Sequence, residues 1–273
     1  MSDDGDVETR SSAAWRDHAF TEQLVESLVQ LRGVMSVPRA VSTPVVRLSA
    51  LRVCDVRVAF LCNAGVASIV DEPLETAPAS AVRELHLDNN RVPCMPQSAA
   101  ALLPSLDTLS LARNMLRNFE SLAQFSRLRS LDLRHNHFED GVSLAPLASC
   151  VAVEHLSLSS CALRSVASLP PLPRLCQLHL VTNVLADLSE CIAALALQTA
   201  LRHVDLDGNP LAHVRHQLHA DGRVVTSAPV DRHMFDNGIY YRAVLRRTLP
   251  ALLTIDAQST GALVDPPDLL LLD

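Results

Sequence analysis

The chain of 273 residues contains no lysine; all 23 of its basic residues are arginine. A P-loop lysine, a Schiff-base lysine or a lysine general base therefore cannot come from it. Aromatic residues make up only 3%, and the eight glycines never fall as Gly-x-Gly. G-x-S-x-G and H-E-x-x-H are absent as well, which removes the commonest hydrolase and zincin signatures. The seven cysteines (54, 62, 94, 150, 161, 176 and 191) are odd in number and scattered, with no C-x-x-C pair. That distribution suits a reducing compartment and neither a disulfide framework nor a zinc ribbon. No apolar run approaches the roughly 18 residues that span a bilayer. The start, MSDDGDVETR, is acidic and leads into no apolar run, so no export signal is expected. A net charge of −7, with acids spread along the chain, speaks against a surface that neutralises phosphates. These absences predict an intracellular, non-enzymatic protein without cofactor, metal, membrane or direct nucleic-acid partner.

What the chain does have is a sentence it keeps rewriting. Leu128, Leu131, Leu133, Asn136 and Phe138 fall at offsets 0, 3, 5, 8 and 10. The same offsets hold Val82, Leu85, Leu87, Asn90 and Val92; Leu106, Leu109, Leu111, Asn114 and Leu116; and Val153, Leu156, Leu158, Cys161 and Leu163. They recur in Leu175, Leu178, Leu180, Asn183 and Leu185, and in Leu201, Val204, Leu206, Asn209 and Leu211. A weaker unit, Val56, Ala59, Leu61, Ala64 and Val66, lies upstream. The second anchors, at 59, 85, 109, 131, 156, 178 and 204, are 26, 24, 22, 25, 22 and 26 residues apart.

Each part of the unit has a physical reading. Leu-x-Leu is strand alternation, with two side chains inward and the residue between them exposed. The amide of Asn90, Asn114, Asn136, Asn183 or Asn209 can donate and accept at once, so these residues are expected to satisfy buried backbone groups of adjacent coils as a ladder. Between units, Leu116, Phe119, Leu122, Phe125 and Leu128 recur every third residue, a period that suits 3₁₀-like turns on the far side. The last return is different: strong helix formers follow cap-like residues, which predicts a true helix near 189–200.

A period of 20–29 residues with L-x-x-L-x-L-x-x-N-x-L resembles the leucine-rich repeat family. The resemblance covers residues 53–211 and implies an α/β, right-handed solenoid of about seven repeats around a parallel concave sheet. Units of 22 residues look like the class typified by the leucine-rich regulator of type-1 phosphatase. Downstream, Tyr241-Arg242, Leu249-Pro250 and Asp256 are similar to the C-terminal cap of that class. The cap is expected over 239–256, as a short helix through 241–247 and a final edge strand ending at Asp256. Residues 12–52 are expected to form an N-terminal cap with a helix over 15–31, on the helical spacing of Phe20, Leu24, Leu28 and Leu31. The insertion 212–238 reads as a hairpin turning at Asp221-Gly222. Residues 1–11 read as a disordered acidic tail, and 257–273 as a C-terminal tail, unstructured over 257–268, whose LLLLD end is a self-docked segment or a second partner contact.

The candidate binding surface consists of the letters between the leucines. Glu84, Thr108, Ser130, His155, Gln177 and His203 form one column of the concave sheet. His86, Ser110, Asp132, Ser157, His179 and Asp205 form the next, and Asp88, Arg134 and Asp207 belong to the third. Solenoids bind through such extended sheets. Without aromatic anchors, the energetic centre is expected at Arg134, with Arg113 beside it. His213, His216 and His219 read as solvent-exposed histidines, because three-residue spacing does not line up on a strand. The resemblance implies a protein–protein interaction module, as a structural or adaptor subunit. A cytoskeletal assembly of the cilium or flagellum is favoured, and a nuclear ribonucleoprotein subunit gripping an RNA-binding partner, or a phosphatase regulator, is the alternative.

Overall fold

The computed structural model describes residues 34–36, 45–47, 58–60, 68–70, 82–219, 221–229, 238–266 and 269. The expected helix at 15–31 and the acidic tail 1–11 lie outside these residues.

Fourteen strands are described, most of three residues. They are β1 (Val34–Ser36), β2 (Val45–Arg47), β3 (Val58–Phe60), β4 (Ser68–Val70), β5 (Glu84–His86), β6 (Thr108–Ser110) and β7 (Ser130–Asp132). After them come β8 (His155–Ser157), β9 (Gln177–His179), β10 (His203–Asp205), β11 (Val214–Leu218), β12 (Val224–Pro229), β13 (Thr254–Ile255) and β14 (Gln258–Ser259). The principal sheet runs β1-β3-β5-β6-β7-β8-β9-β10-β13-β14. It is parallel throughout except for its last pair. Leu85 faces Leu109, Leu109 faces Leu131, Leu131 faces Leu156 and Leu156 faces Leu178. The second anchors therefore stack in register, and all five are at most 1% exposed. β1 lies within 12–52, so a stretch expected only to cap the sheet contributes a strand to it. Its Val-Met-Ser lacks the Leu-x-Leu signature of the later strands.

Three of the returns carry 3₁₀ turns, at Glu120–Leu122, Ala145–Ser149 and Pro210–His213. Helices are α1 (Ala99–Leu102), α2 (Leu188–Ala196) and α3 (Ile239–Thr248). In α2 the Asp187 carboxylate accepts from the amides of Ser189 and Glu190, a side-chain cap of the usual kind. α2 ends earlier than the sequence suggested. Gln198 lies beyond its end and takes the Leu172 amide at 2.8 Å while donating to Pro170 and Ala194 carbonyls. Gln124 does the same three coils earlier, with Ala100, Pro96 and Ser121. The core is a stack of aliphatic layers, with Phe119 and Phe138 stacked at 4.2 Å between centroids.

The insertion folds as the antiparallel pair β11–β12 against α3. Here the expectation fails for one histidine of the three: His213 is exposed and His219 half-buried, but His216 is not. His216 is fully buried, its Nε2 donating to Leu211 O (2.8 Å) and its Nδ1 lying 3.2 Å from Thr226 Oγ1. The reason is strand alternation: His216 and Leu218 point inward together. Burial drives the His216 pKa down. Residues 257–266 are not unstructured either. β14 folds back antiparallel on β13, a 3₁₀ turn follows at Thr260–Ala262, and Asp265 pairs with Arg246 and Arg247. β14, not β13, is the final edge strand. Leu269 is 1% exposed and its carbonyl accepts from Leu218 N at 2.9 Å.

Candidate functional site: the concave wall

Strand pairing alone would end after three residues, but the backbone ladder continues. Leu111 N donates to Asp132 O and Arg113 N to Arg134 O, and the same pair of bonds links each following coil. Immediately after, Asn89, Arg113, His135, Ser160 and Thr182 adopt nearly identical left-handed φ angles of 56°. This turn carries the chain off the sheet and aims the asparagine inward. Asn136 is 0% exposed. Its Nδ2 donates to Leu111 O (2.9 Å) and Leu133 O (2.8 Å), and its Oδ1 accepts from Leu116 N (3.0 Å). Asn114, Asn183 and Asn209 repeat that geometry. Asn90 donates to Leu87 O. At Cys161 the thiol replaces the amide donor, reaching Leu133 O at 3.2 Å. It offers no oxygen, and among the described residues the Phe138 amide has no acceptor there. Burial pushes the Cys161 thiol up to about 12 and Cys150 up to about 11, so neither is a nucleophile at neutral pH.

The sequence-predicted wall residues come together on one face. Register places Ser130, His155, Gln177 and His203 in one row and Asp132, Ser157, His179 and Asp205 in the next. Most are half-buried; Ser110 is buried, while Arg113, Arg134, His155 and Asp207 are exposed. Much of the wall is already paired with itself. The Arg134 Nε sits 2.9 and 3.0 Å from the two Asp132 oxygens, and its Nη2 lies 2.8 Å away. This bond raises the Arg134 pKa further. The His179 Nδ1 meets Asp205 at 2.6 Å, and that bond holds the Asp205 pKa below its usual value. Ser110 donates to Asp88, His86 lies 3.4 Å from Glu84, and His203 lies 2.8 Å from Thr254. Arg134 is thus a clamped residue, not a free guanidinium. Sequence spacing could have suggested this, since residues 132 and 134 share a strand direction.

One rim of the wall was missed. The residues at the second position of each unit include Arg83, Asp107, Arg129 and Glu154, where signs alternate from coil to coil. Arg83 lies 3.9 Å from Asp107, and Arg129 lies 3.7 Å from Glu154. Each pair is exposed enough to contribute little stability, but together they leave the rim nearly neutral. At the centre, β7, β8 and β9 border a hollow of about 590 Å³, with Arg134, His135, His155, Ser157, Gln177 and His179 in its lining.

The cap residues also converge. Tyr241 donates its hydroxyl to Asp256 Oδ2, and Arg242 Nε reaches the same oxygen at 2.6 Å. Burial raises the Tyr241 pKa. Leu249 is half-buried and Pro250 is exposed at the end of the helix. Among the described residues no group of three or more His, Cys, Asp or Glu could hold a metal ion. Among them, too, no helix is long and apolar enough to cross a membrane.

Stacked three-residue parallel strands, short returns and an asparagine ladder define an α/β solenoid with one open polar sheet. Part of the chain matches the leucine-rich repeat family. The family model described as leucine rich repeat matches residues 80–138, and a second of the same description matches 127–150. Among curated proteins, the 187-kDa microtubule-associated protein AIR9 of Arabidopsis thaliana is 32% identical over 105 residues. That match covers 38% of this chain and 6% of the relative. The geranylgeranyl transferase type-2 subunit alpha of Mus musculus is 36% identical over 77 residues, 28% of this chain and 13% of its own. The chain therefore aligns with only a small part of these much longer proteins. Among solved structures, an internalin C2 from Listeria monocytogenes is similar, at 25% identity and a TM-score of 0.46. It covers 65% of this chain and 72% of its own. A Leptospira interrogans LRR protein matches at 17% identity and a TM-score of 0.46, covering 77% and 56%. Proteins of this family generally mediate protein–protein interaction, typically through the concave face and without catalysis.

Proposed function

We propose that this chain is a protein–protein interaction module that grips a partner on its concave wall, as a structural or adaptor subunit of a cytoskeletal assembly, best of a cilium or flagellum. The observation that carries the reading is the wall itself: a polar sheet several strands wide, held rigid from behind by the buried asparagines. The microtubule-associated relative supports the cytoskeletal part.

The test has two arms. Cells would be fractionated into detergent-soluble, nuclear and cytoskeletal pools, and the proteins that co-purify with the chain identified. Recovery with axonemal proteins supports the proposal; recovery with splicing proteins or a phosphatase overturns its cytoskeletal part. In the second arm, Ser157→Trp with Gln177→Trp fills the hollow without adding charge, while Arg164→Glu alters a residue outside it. Loss of the partner in the first variant only is expected. Capture that survives it would move the interface away from the wall.

A further inference from the structure

A hydrogen-bond inventory of the hollow shows what chemistry it can accept. Its carboxylates are spent. Both Asp132 oxygens are held by Arg134, whose own backbone amide adds a bond at 3.1 Å. Asp205 beside it is held by His179 through one oxygen and by the Ala257 amide (3.0 Å) through the other. Its donors are not spent. Among the described residues nothing takes a hydrogen bond from the hydroxyls of Ser130, Ser157 and Ser159, the carboxamide of Gln177, the rings of His135 and His155, or the Nη1 of Arg134. On either side the pattern changes, to Ser110 with Asp88 and to His203 with Thr254. The hollow therefore gathers most of the wall's unspent groups, with the side chains of Thr108 and Arg113 outside it also unpaired among the described residues.

Resting on the concave-face reading above, the geometry points to an acidic segment of the partner protein as the occupant of the hollow. Carboxylates of that segment receive hydrogen bonds from Arg134, His155 and the three serines. A basic segment finds no unpaired carboxylate here; it would have to displace Arg134 from Asp132 or His179 from Asp205. A guanidinium already paired on one edge keeps its Nη1 protons aimed outward, and a charge-assisted bond to a second carboxylate is among the stronger a surface can make. The wall has no aromatic platform, so recognition rests on these donors and not on stacking.

The test uses the full chain and three fluorescein-labelled twelve-residue peptides, alternating serine with glutamate, arginine or glutamine, read by fluorescence anisotropy at one ionic strength. The glutamate peptide is expected to bind at least tenfold more tightly than the other two. His155→Ala is expected to weaken it severalfold. Asp132→Asn with Arg134→Gln removes the pair without leaving a bare carboxylate, and is expected to weaken it at least tenfold. Arg164→Ala, elsewhere on the coil, should leave it unchanged. Circular dichroism melts confirm that the variants are folded. Preference for the arginine or glutamine peptide, equal binding of all three, no binding of any, or glutamate-peptide binding indifferent to the hollow variants overturns the inference. If Ser157→Trp with Gln177→Trp still abolishes partner capture in that case, the concave-face reading stands while this one falls.

Discussion

Replacing Asn136 with alanine isolates the value of one rung of the ladder. Three hydrogen bonds disappear, but the groups left behind do not fare equally. Leu111 O keeps the Asn114 amide at 3.0 Å, and Leu133 O keeps the Cys161 thiol at 3.2 Å. Only the Leu116 amide loses its sole partner. One orphaned buried donor costs about 1–3 kcal/mol, and the small cavity adds to it, so a loss of about 2–3 kcal/mol is expected. Asn136→Asp is the sharper variant. One oxygen can still accept from Leu116, but the other would face the carbonyls of Leu111 and Leu133, now 2.9 and 2.8 Å from a donor. At pH 7 it should therefore be worse than alanine. At acid pH its protonated form can donate, and its deficit relative to alanine should shrink. Urea denaturation with an unchanged m value measures both losses. A loss under about 0.5 kcal/mol for alanine, or an aspartate no worse than alanine at pH 7, would refute the assignment of the rung as an obligatory donor–acceptor.

The reverse substitution, Cys161→Asn, supplies the missing oxygen to Phe138 N and should raise the urea midpoint by an amount equivalent to about 0.5–1.5 kcal/mol; a lower midpoint would show that the thiol pocket cannot accommodate the amide. His216 is held neutral by burial, below its ordinary 6.5. The unfolded chain therefore takes up a proton first as pH falls, and stability declines below about pH 6.5 by at most about 1.4 kcal/mol per pH unit. His216→Gln should flatten that slope in pH-dependent melts, although its absolute stability will be lower. Gly238 has φ of 70°, and a Cβ there would collide with the Tyr241 ring. That ring is buried and tied to Asp256, so Gly238→Ala should cost about 2 kcal/mol or more; melting within a degree of wild type would show that the ring moves freely.

The sheet was legible because its signal is redundant. Each Leu-x-Leu states the period again, and a slip in one unit is corrected by its neighbours. The 3₁₀ returns were legible for a similar reason, since Leu116, Phe119, Leu122 and Phe125 keep one period through a whole return. Features that occur once were the ones missed. His216 carries no periodic partner apart from Leu218, and a triplet of histidines draws attention to spacing by three when the strand obeys spacing by two. The fold-back at 257–266 follows from Asp265 meeting Arg246 and Arg247, a contact across the cap that no local pattern encodes. The wall was legible as a set of positions but not as a set of pairs, because pairing depends on register between coils of unequal length. The clamp of Arg134 by Asp132 is the local exception, and it moves the emphasis from the guanidinium alone to the donors around it.

Asp256 shows how the end of a repeating structure reuses the logic of its interior. Most inner coils hide an asparagine that accepts from a backbone amide and donates to carbonyls of adjacent coils. After the last repeat no further coil arrives, and the residue at the exit is a carboxylate. Its Oδ1 accepts from the amides of Leu206 (2.7 Å) and Asp207 (3.0 Å). A carboxylate can only accept, so its other oxygen must be met by donors, and Tyr241 and Arg242 of α3 supply them. The 5% exposure of the Asp256 side chain is tolerable because Arg242, 10% exposed, neutralises it; removing one partner alone would leave a buried charge. The φ angles of 50° at Asp256 and 59° at Ala257 then reverse the chain into β14. Its two antiparallel residues cover the edge that β13 would otherwise present as a template for another strand. Asp256 and the two-residue strand after it thus end the core, which leaves the concave wall as the open face of the sheet.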